Sequence, residues 1–166
     1  MSTSQRVLDS IRRIVRLLRE GANASEKEVG LSAAQLFVLQ KLDPERPLSL
    51  NELAARTLTH QSSVSVVVSK LVERGLVQRR PAAHDARRVA ISPTKAGLRL
   101  RDRAPAPAQD RLIAALSSLA AAEQRRLADS LELLVRALGL DERDAPMLFT
   151  DEAPPRRQAK RANKRA

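Results

Sequence analysis

Residues 49–88 read SLNELAARTLTHQSSVSVVVSKLVERGLVQRRPAAHDARR, and the fold turns on how this stretch is understood. Ser49 with Glu52 three residues on is a capping box, which opens a short helix facing the core through Leu53 and Ala54. Arg56 to Thr59 supply the turn. The next segment, His60–Arg74, is locally contradictory. Ser63-Val64-Ser65-Val66-Val67-Val68 is rich in β-branched residues, whose propensity is that of a strand. Three signals outweigh it: Thr59 as an N-cap, the helix-favouring run Lys70-Leu71-Val72-Glu73-Arg74, and Gly75 placed to end a helix in left-handed conformation. As a helix, Val64, Val67, Val68 and Leu71 form one buried stripe and leave the serines on the other side. Leu76–Arg80 and Arg87–Ser92 then read as the strands of a basic hairpin with Val89 and Ile91 on one face, its tip being Pro81–Arg88. Helix, turn, helix and basic wing can lay one helix in a major groove with an arginine beside it.

Upstream, Val7, Leu8, Ile11, Ile14, Val15 and Leu18 mark one face of a helix over Gln5–Glu20. Gly21 is expected to stop it, leaving Gly21–Gly30 as a loop. Ser32 caps a second helix through Leu42, with Leu36, Phe37, Leu39 and Gln40 turned inward or onto neighbours, and Asp43–Pro47 ends it. Leu48 is expected to make a short strand-like pairing. Downstream, Thr94 caps a fifth helix that Pro105 and Pro107 interrupt with a kink or short break, and it resumes from about Ala108 to Leu116. A last helix, about Ala121 to Leu138, carries Leu127, Leu131, Leu134 and Leu138 at near-heptad spacing, and Gly139 ends it. The expected class is mainly α with a small β-wing: a winged helix-turn-helix over 32–93, a connecting helix over 94–116 kinked near 105–107, and a dimerisation stalk from 5–20 and 121–139. One domain covers 1–150. Residues 151–166 form a basic tail without a core-forming pattern, expected to be disordered.

Composition narrows the chemistry. Two phenylalanines are the whole aromatic content of the 166 residues, so the core must be aliphatic, which suits packed helices. Single-stranded nucleic acid is disfavoured as a target, because bases would have no rings to stack on. With no cysteine, disulfides, thiolate catalysis and cysteine-ligated zinc are excluded. Two histidines make no credible metal cluster, so no metal and no cofactor are expected. A glycine-rich phosphate loop is missing, the carboxylates are scattered and the serines lack a histidine partner, so no enzyme is expected. The N-terminus does not read as a signal peptide and no apolar run approaches about 18 residues, so a cytoplasmic, nucleoid-associated protein without a membrane partner is expected. The net charge of +11 is concentrated. Residues 70–103 hold ten basic against three acidic side chains, and 154–166 hold six basic and none acidic. Two such blocks point to a polyanion partner.

Within this frame the candidate DNA-reading residues are His60, Gln61, Ser62, Ser63 and Ser65, small or hydrogen-bonding side chains on the first turns of the second helix. Gln pairs with adenine and Ser with several base edges. The competing reading is a solvated N-terminal turn, and the adjacent wing weighs against it. Lys70 and Arg74 suit phosphate contacts; a solvated helix face competes, more strongly for Arg74. In the wing, Arg79 and Arg80 are basic, Arg88 lies beside the tip, and Asp85 can hold Arg87 extended toward a narrow minor groove. A surface ion pair of little worth is the alternative for Asp85 and Arg87.

Leu71-Val72-Glu73-Arg74-Gly75-Leu76-Val77, Asp85-Ala86-Arg87-Arg88 and Thr94-Lys95-Ala96-Gly97, in this order and spacing, resemble the multiple-antibiotic-resistance regulator (MarR) family of winged-helix repressors over roughly Val7–Gly139. The resemblance implies a bacterial homodimer whose first and last helices intertwine through Val7, Ile11, Ile14, Leu18, Leu127, Leu131, Leu134 and Leu138. It implies a pseudo-palindromic double-stranded operator, with recognition helices about 34 Å apart. It also implies repression relieved by a small aromatic or phenolic effector, whose binding residues are unknown. Val66 stands where many relatives place a polar or basic residue. Two other functions compete: a general architectural DNA-binding protein, and a winged-helix adaptor for another protein.

Overall fold

Helix α1 spans Thr3–Val29, capped by the Ser2 hydroxyl at one end and by Gly30 in left-handed conformation at the other. This is longer than the sequence suggested. The computed structural model describes residues 1–82, 85–140 and 145–150, and side chains outside 82–88. Gly21 does not stop α1 but lies within it. A Cβ at Gly21 would come 2.5 Å from that of Ala108, so glycine lets a later helix cross here. The segment read as a loop is thus the last turns of α1, held by the buried Ser25 hydroxyl donating to the Leu31 carbonyl at 2.7 Å.

Helix α2, Ala33–Lys41, starts at a full capping box between Ser32 and Gln35 and is buried from Ala33 to Leu39. Helix α3, Leu50–Thr57, starts at the expected box of Ser49 and Glu52. It ends on Leu58, a non-glycine residue in left-handed conformation with φ 52°. Helix α4, Gln61–Glu73, begins one residue later than expected: its N-cap is His60 and has no side-chain cap bond. The Thr59 hydroxyl instead lies 2.8 Å from that of Thr57. Val64, Val67, Val68 and Leu71 are at most 1% exposed, so tertiary burial of this stripe overrides the strand propensity of the segment. Gly75 follows with φ 68°.

Strands β1, Val77–Ala82, and β2, Asp85–Pro93, pair antiparallel from Val77↔Pro93 to Pro81↔Val89, with a register shift before Ala82↔Asp85. Leu48 bridges β2 as expected, exchanging hydrogen bonds of 2.9 and 2.7 Å with Ile91. Ile91 is buried at this base, whereas Val89, two residues along, is exposed as the ribbon leaves the core. Helix α5, Lys95–Arg101, is capped by Thr94. The prolines produce a break, and the chain resumes as α6, Ala108–Ser117. Helix α7 covers Ala121–Ala137, and Glu123 reaches back to the Ala120 N–H at 3.1 Å. The class is mainly α with a two-stranded wing.

One aliphatic core joins α2, α3, α4 and the wing base around Phe37, Leu36, Leu39, Leu53 and Leu71. It receives an unexpected contributor from beyond α7, Met147, only 4% exposed. Links tie this lobe to α6 and the break before it: Lys41 to Asp110, and Gln40 Nε2 to the Pro105 carbonyl at 3.2 Å. By contrast, α7 buries none of its residues. No described helix is long and apolar enough to cross a membrane.

Candidate nucleic-acid interface

The geometry of α4 sorts its residues by direction. At 3.6 residues per turn, Ser62, Val66, Ser69 and Glu73 share one line, with Ser65 and Lys70 to either side. Val64, Val67, Val68 and Leu71 occupy the opposite face and anchor the helix in the core. Gln61 and Ser62 are exposed, Ser65 and Lys70 half-buried, and Val66 is 41% exposed. His60 caps the helix start, where backbone N–H groups and the helix dipole favour an anion.

The wing and this helix touch. Arg79 Nη2 donates to the Ser69 hydroxyl at 3.1 Å, and Ser69 Oγ in turn donates to the Ser65 carbonyl at 2.9 Å. Ser69 is a residue the sequence reading missed. Its place on the outward line follows from helical spacing once the buried stripe is known, but its contact with Arg79 needs the hairpin in place. Arg80 is exposed on the next position of β1. The backbone of Asp85, Arg87 and Arg88 belongs to β2. The expected Asp85–Arg87 pairing lies outside the described side chains, as the expected disordered tail at 151–166 lies outside the described residues.

Two of the expected contact residues also bond within the protein. Arg74, read as a phosphate ligand, lies on the flank of α4 and donates from Nη1 to the Gly30 carbonyl at 2.8 Å and to Gln35 Oε1 at 3.0 Å. It ties α4 to the starts of α2 and the preceding turn. Ser63 lies on the same flank, and its hydroxyl donates to the Ala145 carbonyl at 3.1 Å. The segment 145–150 thereby fastens to α4 beside buried Met147. The only sequence signal for this was Met147-Leu148-Phe149, an apolar triplet after Pro146, too short to carry a period.

Of the stalk residues, Val7, Ile11, Ile14, Leu127, Leu131, Leu134 and Leu138 are exposed, between 36% and 63%. Leu18 differs: at 7% exposure it is buried within its own chain, because the second half of α1 packs on α2 and α6. Among the described residues, no group of acidic side chains and histidines could hold a metal ion.

Residues 29–88, which run from the end of α1 to the wing, match the family model for MarR. This stretch of the winged-helix lobe is similar to MarR-family domains. Solved structures extend the likeness beyond it. The chain is 29% identical to a probable transcriptional regulator from Pseudomonas aeruginosa, with a TM-score of 0.51 over 77% of this chain and 98% of that one. It is 26% identical to the transcriptional regulator BldR from Sulfolobus solfataricus, with a TM-score of 0.53 over 82% of this chain and 99% of that one. A MarR/EmrR-family regulator from Acinetobacter sp. ADP1 shares the fold, at 20% identity and a TM-score of 0.54 over 84% and 99%. No curated protein sequence matches the chain significantly. The chain therefore has the fold of MarR-family transcriptional regulators.

Proposed function

We propose that this protein is a homodimeric, sequence-specific regulator of transcription that binds double-stranded DNA. The observation that carries the reading is the outward line of α4 from Ser62 to Ser69, small and mostly polar side chains backed by an apolar core, with Arg79 and Arg80 of a basic wing beside it. Such a face can enter a major groove, and the wing arginines can meet phosphate or a minor groove. Among the described residues no constellation for catalysis accompanies it, and a cytoplasmic location near the nucleoid fits the reading. The exposed apolar stripes of α1 and α7 support the dimer, because a helix with an apolar face and no buried residue calls for a partner. Two-fold symmetry then sets two copies of α4 on the halves of a pseudo-palindrome.

Arg87 is the residue to test first. Arg87→Ala is expected to weaken operator binding by about 1–3 kcal/mol if its guanidinium reads a minor groove. A gel-shift titration at fixed salt measures it, and unchanged binding removes the wing from the interface.

Repression relieved by a small aromatic or phenolic effector is the proposed mode of control. Its support is Gln109, which is 6% exposed where α6 crosses α1 near Gly21 and Ala108. Both polar atoms of its side chain are buried without a hydrogen-bond partner. An unpaired buried amide costs about 1–3 kcal/mol, and a polar effector group that pairs with it would recover that cost. Gln109→Leu is expected to raise the stability of the free protein by about 1 kcal/mol in urea titration while abolishing release from DNA by effector. A variant still released by the same phenolic compounds would remove Gln109 from the effector site.

A further inference from the structure

We infer that Val66 reads the C5 methyl group of a thymine in each half-site, and so sets an A·T pair under the middle of α4. This inference rests on the DNA-binding reading above. Val66 lies at the centre of the outward line, between Ser62 one turn before it and Ser69 one turn after it. At 41% exposure it is an apolar side chain on the face opposite the buried stripe, and the core does not require it there. Its neighbours leave it prominent. The single hydroxyl proton of Ser69 is given to the Ser65 carbonyl, and the oxygen accepts from Arg79, so Ser69 is engaged within the protein. Ser63, on the flank, is engaged with Ala145.

The chemistry of the major groove then selects the base. Adenine, guanine and cytosine present hydrogen-bonding edges there, and thymine alone adds a methyl group. Valine pressed on a polar edge would bury a donor or acceptor without a partner, whereas a methyl against its two methyl groups removes apolar surface from water on both sides. A β-branched side chain in a helix is also held to one χ1 rotamer, so the contact needs little further ordering.

The test starts from random-sequence duplex, selected for binding by the full-length protein. Each thymine of the selected site is then replaced in turn by deoxyuridine, which lacks only the methyl group. For the wild type, one thymine per half-site is expected to show about a fourfold loss of affinity on replacement, the factor that corresponds to one buried methyl. Val66→Ala is expected to bind the thymine and deoxyuridine sites within twofold of each other, about the scatter of such measurements, with its thermal midpoint unchanged. A wild type indifferent to every deoxyuridine, a selected site without thymine, or a Val66→Ala protein that keeps the full penalty would overturn the inference and leave sequence-specific binding standing. Selection that yields no shared sequence would overturn the DNA-reading proposal itself, and this inference with it.

Discussion

Replacing Gly97 with alanine is expected to destabilise the protein by about 3 kcal/mol, the upper end of what overpacking costs. A Cβ at this position would lie 2.1 Å from the Leu76 carbonyl oxygen, 3.1 Å from its carbon and 3.3 Å from Leu39 Cδ1. The obstacle is backbone, and that backbone is fixed twice over. The Leu76 carbonyl accepts from the Thr94 N–H at 2.9 Å, and the Thr94 hydroxyl donates to the Gly75 carbonyl at 2.7 Å while accepting from the Gly97 N–H at 3.1 Å. The start of α5 is thus clamped to Gly75 and Leu76, between α4 and the wing. Relief of the clash requires α5 to lift away, which breaks the clamp and changes the angle of the wing. Urea unfolding at constant m-value measures the loss, and a shift below about 1 kcal/mol would mean that the contact is slack. Gly21→Ala meets a similar obstacle, since the Cβ of Ala108 at 2.5 Å is fixed to its own backbone, and only the gain in helix propensity offsets the clash.

Operator affinity is expected to fall about a thousandfold between 50 and 200 mM monovalent salt. Among the described side chains, Lys70 of α4 with Arg79 and Arg80 of the wing are the cations counted at this face, and three phosphate contacts per subunit make six in the proposed dimer. Counterion release at these six contacts alone gives a slope of log K against log salt of about −5, to which the basic tail adds. Removal of Pro154–Ala166, which carries six basic residues, is expected to flatten that slope and lower non-specific affinity without changing the unfolding midpoint. A slope near zero for the intact protein would contradict phosphate contact altogether. A slope unchanged by truncation would free the tail of any role on DNA.

The sequence was most readable where a local signal had one physical meaning. Ser49 with Glu52 can satisfy two orphan N–H groups of a helix start, and that box is present in the structure; Ser32 was legible as a cap, and the structure adds Gln35 to complete its box. Gly75 was read correctly because a helix end in left-handed conformation favours glycine whatever surrounds it. Pro105 and Pro107 broke the helix as their missing N–H groups require. Gly21 shows the limit of such reading. Glycine is also used where two helices touch, and only the position of Ala108, far along the chain, tells the two uses apart. Thr59 fails for a similar reason: a neighbouring threonine competes for its hydroxyl, and the cap moves to His60.

For the candidate interface, periodicity separated the buried stripe of α4 from its outward line, since 3.6 residues per turn relates every position to every other. It could not say which outward side chains are already engaged. Ser63, Ser69 and Arg74 all carry hydrogen-bonding groups suited to DNA, and all three also meet protein groups: Ala145, the Ser65 carbonyl with Arg79, and Gly30 with Gln35. What the sequence by itself determined is the order of helices, the wing and the face of α4 that looks outward, because capping, proline and helical spacing act over a few residues. Only the tertiary structure decided how far α1 runs, that Leu18 and Met147 are buried in their own chain, and that Val66 stands out among engaged neighbours. Those outcomes depend on contacts between residues tens of positions apart, and no local pattern encodes such distances.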